Sequence, residues 1–189
     1  MKKTLCLIIL FAIALSAASY AEVTSKVTKQ YSIISPEIIT YYEGDIAIAV
    51  KTLTESGEVK SLTGHIPNGW VRRNHPNGKV FMETYYKNGQ REGTTKVYFS
   101  TGTLEGTVNF KNGRLNGAAK ELYGNGALRR TDNYVNDKRE GLSKTYNDNG
   151  TIRSEINYLH GAPNGTCKFY DRNGKLVKEG NYVNGELIK

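Results

Sequence analysis

From residue 69 onward, apolar and polar side chains alternate in short bursts broken by glycine. Thr94-Thr95-Lys96-Val97-Tyr98-Phe99 is one burst, and Thr103 to Lys111 is the next. Alternation with period two over runs of this length predicts half-buried β-strands. A helix does not fit, because glycine recurs too often and no 3.6-residue period is present.

The bursts repeat. Gly69, Gly93, Gly117, Gly141 and Gly165 are spaced 24 residues apart without insertions, and each is taken as position 0 of a copy. Position 9 is Gly78, Gly102, Gly126, Gly150 and Gly174. Position 8 is Asn77, Asn125, Asn149 and Asn173, with Thr101 in the second copy. Position 11 is Val80, Leu104, Leu128, Ile152 and Leu176, and position 17 is Tyr86, Phe110, Tyr134, Tyr158 and Tyr182. Positions 19–20 read Asn-Gly in three copies, with Asn136-Asp137 and His160-Gly161 in the others. Each copy therefore reads strand, turn, return strand, turn.

The first loop can be sized from what it brings together. A three-residue loop pairs position 5 with position 11, setting Tyr98 opposite Leu104, Leu122 opposite Leu128, Tyr146 opposite Ile152 and Tyr170 opposite Leu176. The position-9 glycines then suit the left-handed residue of a bulged loop. Strict alternation would place positions 5, 11 and 17 on one face. The fold expected is all-β: an elongated antiparallel β-meander of tandem 24-residue hairpins, advancing about 10 Å per copy. The five repeats are 69–92, 93–116, 117–140, 141–164 and 165–189. Residues 46–68 read as a degenerate copy capping the first repeat, and 22–45 as a linker or extra strand. The last edge offers a route to an edge-strand homodimer through the C-terminal repeat.

The N-terminus has a different character. Met1-Lys2-Lys3, an apolar run from Leu5 to Ala14 and the small residues Ser19 and Ala21 predict a signal peptide, 1–21, cleaved after Ala21. The expected address is the periplasm or the extracellular space, with no transmembrane helix after cleavage. Cys6 leaves with the signal, so Cys167 is the only cysteine of the exported chain and no internal disulfide forms. The formal net charge of the whole chain is +8. Residues 22–68 carry 4 basic and 6 acidic side chains, whereas 69–189 carry 20 and 12, so the basic excess belongs to the repeats.

The pattern G-x-x-K-x-Y-x-x-N-G-x-L, as in Gly141 to Ile152, followed by Y-x-N-G-x-x-x-G, resembles the MORN-repeat variant family of bacteria. The resemblance covers 69–189. It implies tandem β-hairpins in an elongated sheet, and an association with protein interaction or acidic lipids. Many bacterial members carry the label of YwqK-type antitoxins, which implies an antitoxin-like or immunity-type inhibitor as a further role. The export signal departs from a cytoplasmic antitoxin.

Position 3 is basic in every copy: Arg72, Lys96, Lys120, Lys144 and Lys168. Such a row is a candidate track for anionic lipid, glycan or an acidic protein. It also serves solubility, since lysine stems lie along neighbouring rings while their charges stay in water. The position-16 column (Tyr85, Asn109, Asn133, Asn157, Asn181) reads as amides bonding along the sheet. His65, His75 and His160 lie at turns without metal-ligand spacing, and no phosphate loop, Cys-x-x-Cys or nucleophile elbow occurs. Position 2, where Cys167 stands beside Val71, Thr95, Ala119 and Ser143, accepts small side chains, so a packed thiol is expected. The reading is an exported, non-enzymatic scaffold for a protein partner. Anionic lipid or glycan is the alternative; no cofactor, metal or nucleic acid is expected.

Overall fold

A computed structural model describes residues 23–29, 38–43, 46–54, 59–66 and 68–188. The expected signal peptide lies outside them. All regular structure among the described residues is β. Strands β1 (Val23–Lys29), β2 (Ile38–Glu43), β3 (Ile46–Leu53) and β4 (Val59–Gly64) precede the repeats. Then come β5 (Gly69–Asn74), β6 (Val80–Lys87), β7 (Gln90–Tyr98), β8 (Leu104–Lys111), β9 (Arg114–Leu122) and β10 (Leu128–Val135). The run ends with β11 (Lys138–Arg139), β12 (Gly141–Tyr146), β13 (Ile152–Leu159), β14 (Ala162–Tyr170), β15 (Leu176–Val183) and β16 (Glu186–Ile188). They form one sheet of 16 strands, and from β5 to β16 each strand pairs antiparallel with its neighbours.

The tandem-hairpin architecture and its register follow from turn chemistry. In the second copy the Phe99 N–H donates to the Thr103 carbonyl at 2.9 Å, and the Gly102 N–H donates to the Phe99 carbonyl at 2.8 Å. This closes a three-residue loop whose glycine carries φ +93°, a conformation that costs an ordinary side chain but not glycine. Tyr98 is paired with Leu104, Leu122 with Leu128, Tyr146 with Ile152 and Tyr170 with Leu176. The second turn of each copy is tighter. Both of its central residues have positive φ, as in Asn112 (50°) and Gly113 (80°), which is the two-residue hairpin turn that Asn-Gly favours.

The face assignment differs from strict alternation. After the position-5/position-11 pair, the next pair is position 4 with position 13 (Val97 with Gly106), leaving position 12 as an extra residue. The same slip occurs in the other four hairpins. One inserted residue reverses the parity of everything beyond it. Positions 11 and 17 therefore lie on opposite faces. Position 17 joins positions 0, 2, 4, 13 and 15 on a core face, while 11 joins 1, 3, 5, 14 and 16 on a charged face.

Burial is concentrated on the core face. Tyr86 and Phe110 of the aromatic ladder are buried, while Tyr134, Tyr158 and Tyr182 are half-buried. The most completely buried column is position 2: Val71, Thr95, Ala119, Ser143 and Cys167, the last at 0% exposure. Cys167 is paired with Gly180, where a Cβ would lie 3.4 Å from its sulfur, so glycine makes the room that the thiol fills. The position-11 ladder is half-buried at best, and Leu176 is exposed.

The N-terminal strands also differ from expectation. Residues 46–68 do not cap the first repeat directly. Strand β1 runs parallel to β5, pairing Val23 with Val71 and Thr24 with Arg72, and then β2, β3 and β4 follow outward in order. The backbone edge of β5 is thus taken by β1, and the hairpin of β3 and β4 sits at the far margin of the sheet. The sheet folds its inner face together here: Tyr41 (β2) and Ala49 (β3) pack with Ile66, Val71 and Tyr86 in the main apolar cluster. The Tyr41 and Tyr86 rings meet edge to face at 5.8 Å and their hydroxyls share a hydrogen bond of 3.0 Å.

Candidate binding surface

The charged face has one continuous feature. Positions 3 and 14 face each other across every strand boundary, so a straight cross-strand ladder runs the length of the repeats. It reads Arg72, Glu83, Lys96, Thr107, Lys120, Thr131, Lys144, Glu155, Lys168, Glu179. Neighbouring rungs are about 4.8 Å apart. All five position-3 cations picked out in the sequence lie on it, but they do not form an unbroken positive track. Arg72 bonds Glu83 at 2.8 Å, Lys144 lies 2.8 Å from Glu155, and Lys168 lies 3.5 Å from Glu179.

Tyrosine at position 5 completes the outer parts of the ladder. The Tyr98 hydroxyl donates to Glu83 at 2.9 Å, and Tyr170 donates to Glu155 at 2.7 Å. The Arg72 hydrogen bond, helped by Tyr98, holds the Glu83 carboxyl below the ordinary carboxylate range. Lys144 and then Tyr170 do the same for Glu155. Glu155 in turn pushes the Lys144 ammonium up.

The core face carries a second set of cations that the sequence reading did not single out. Arg91 lies 3.9 Å over the Phe110 ring and Arg139 lies 4.9 Å over Tyr158. Arg91 and Arg139 stand at position 22, directly paired with the position-17 ring of their own hairpin turn. Arg130 holds the buried Asp132 at 2.6 Å. Across from Arg91, Lys51 of β3 has its ammonium pushed down by burial and then by that arginine.

Several polar columns turn out to join the copies. The Asn109 amide donates to the Ala118 carbonyl, and the Asn157 amide to the Thr166 carbonyl. At position 8, Asn77 and Asn149 donate across to the next copy's turn, at Ser100 and Arg172, while accepting from their own position-10 N–H. Position 23 joins the copies too, although nothing in the sequence analysis points to it. Asn68, Glu92 and Glu140 each accept the N–H of position 19 in the following copy. The signal was present, because that column reads Asn68, Glu92, Asn116, Glu140, Asn164, every residue carrying an acceptor oxygen.

The histidines serve similar ends: the His75 ring bonds the Tyr98 carbonyl at 2.8 Å, and His160 lies 3.6 Å from Glu140. Among the described residues no three His, Cys, Asp or Glu side chains gather as a metal site, and no helix is long and apolar enough to cross a membrane.

Residues 67–88, 91–112, 139–160 and 163–184 match the family described as MORN repeat variant. Those four stretches are similar to MORN-variant repeats. The third copy, up to residue 138, falls outside the matched stretches although it keeps the 24-residue spacing and the hairpin. Repeats of this kind suggest a repeat-based binding module, and proteins that carry them are generally non-catalytic. No curated protein matches the chain. Among solved structures, the crystal structure of TarM is similar over 52% of this chain and 19% of that chain, at 17% identity and a TM-score of 0.35. That likeness is too slight to bear on function.

Proposed function

We propose that this chain is an exported, non-catalytic scaffold that presents its MORN-variant sheet to a protein partner in the cell envelope or outside the cell. The observation that carries this reading is the mixed chemistry of the charged face. Glu83 and Glu155 stand between position-3 cations, Glu179 ends the row beside Lys168, and Trp70 and Leu142 are exposed on the same face. A surface for anionic lipid or glycan gains nothing from three carboxylates set into its cation row. Interleaved charges with aromatic and aliphatic groups are what protein interfaces use for register and affinity.

The test is chemical cross-linking of the exported chain in intact cells, followed by isolation in high salt. One protein recovered in stoichiometric amount supports the reading. Recovery of anionic vesicles alone, lost as salt rises, would sink it. Mass spectrometry of the exported form should find Glu22 as the first residue; retention of Met1 removes the export component.

A further inference from the structure

We infer that an acidic segment of a protein partner seats at the middle of the charged face, on Lys96, Thr107, Lys120 and Thr131. The inference rests on the protein-scaffold reading and narrows it to one place. It starts from a break in the repeat. Position 14 is Glu83, Glu155 and Glu179 in the first, fourth and fifth copies, but Thr107 and Thr131 in the second and third.

The break is coupled to a second one. Glu83 is bonded by Tyr98, and Glu155 by Tyr170, each tyrosine coming from the next copy. The residue standing in that relation to Thr107 is Leu122. At Thr107 carboxylate and phenol are thus replaced together by a hydroxyl and an isobutyl group, whereas Thr131 keeps a phenol, Tyr146, in that relation. Leu122 and Thr131 lie in the stretch between the family matches, while Thr107 lies within a matched one.

The electrostatic result is local. Lys120 is exposed and paired in register with Thr107 on one side and Thr131 on the other, and among the described residues it has no ion-pair partner. Lys96 lies beside Glu83, whose carboxylate is already taken by Arg72 and Tyr98. The ladder's positive excess therefore collects at its centre. Lys96 and Lys120 are two strands apart, about 10 Å, and Glu83 and Glu155 close the stretch at its ends, about 29 Å from each other.

That geometry selects the occupant. Two ammonium groups flanked by hydroxyl donors suit two carboxylates about 10 Å apart, and Leu122 with its partner Leu128 offers apolar contact alongside. A broad anionic bilayer would meet the terminal carboxylates. A narrow acidic segment crossing the strands would not.

The test uses the full exported chain. The probe is a fluorescent peptide alternating glutamate pairs with leucine, compared with phosphatidylglycerol vesicles in phosphatidylcholine. T107E with T131E restores the pattern of the outer copies, so the fold has precedent for it within this chain. The double variant should weaken peptide binding about tenfold, and K120Q should weaken it in the same direction. K168Q should leave it unchanged, and the thermal midpoint of the double variant should equal or exceed that of the unaltered chain.

Equal peptide affinity in the double variant overturns the inference, as does failure of the unaltered chain to bind the peptide. Binding to vesicles but not to peptide, abolished by the same substitutions, also overturns it and reassigns the site to a membrane. A cross-linked partner captured equally by the double variant overturns this inference while leaving the scaffold reading standing. Peptide binding at this site with no partner captured removes the scaffold reading instead.

Discussion

At the scale of single residues, stability is decided by a few side chains that the repeat encloses fully. Tyr86 is 5% exposed and its hydroxyl is bonded to the buried Tyr41. Tyr86→Phe keeps the ring but orphans the Tyr41 hydroxyl and should cost about 1–3 kcal/mol. Tyr86→Ala should cost about 3–5 kcal/mol. Urea unfolding of both variants checks the order, and an unchanged midpoint in Tyr86→Phe would deny the bond its role. At Gly106, on β8, a Cβ would collide with the backbone carbonyl of Lys120 on β9. Gly106→Ala must push the two strands apart, at about 1–3 kcal/mol by the same measurement. The carboxyls of Glu83 and Glu155 are held low by Arg72 and Lys144 in turn. Their depressed folded values mean that they stabilise the fold at neutral pH. The contribution fades as pH falls through the ordinary carboxylate range, about 4.3, and is gone below the folded values. Glu83→Gln with Glu155→Gln should flatten the acid side of the stability profile in a pH series of melts. An unaltered profile would remove these pairs from the account.

At the scale of elements, the hairpins are joined to one another by side chains as well as by strand pairing. Asn149 bonds the Arg172 carbonyl of the next copy and its own Thr151, whereas the corresponding amide of Asn173 bonds nothing among the described residues. Asn149→Ala should therefore cost about 1–2 kcal/mol and Asn173→Ala close to nothing. Equal losses in thermal melts would show that the amide acts only within its own turn. The same comparison explains what the sequence makes readable. Turn glycines such as Gly102 and the pairing of Tyr98 with Leu104 are local, and residue chemistry declares them. The extra residue at position 12 is Phe81, Glu105, Arg129, Arg153 or Val177, a set with no shared chemistry. The bulge leaves no mark in composition, so strict alternation puts the positions beyond it on the wrong face. The row of position-3 cations was visible, but its neutralisation was not. That depended on position 14 arriving opposite it, which the bulge determines. The parallel pairing of β1 with β5 was equally hidden, because no tight turn links the two strands and nothing local announces it.

At the scale of the molecule, a sheet whose units meet chiefly their neighbours should tolerate removal of a whole unit. Deleting residues 117–140 joins the second copy to the fourth in the same phase. The product should remain β-rich and unfold cooperatively, with a maximum dimension in X-ray scattering shorter by about 10 Å. Collapse to an unfolded chain would mean that the third copy is a keystone. The parallel seam sets a further condition on assembly. Strand β1 is made early, yet it lies between β2 and β5 in the finished sheet. During synthesis the N-terminal four-stranded piece can close upon itself, but one side of β1 stays open until Val71 has emerged. The growing chain thus carries an unsatisfied backbone edge for the time it takes to supply the next four dozen residues or so, an interval in which a chaperone able to cap a strand would have most to do.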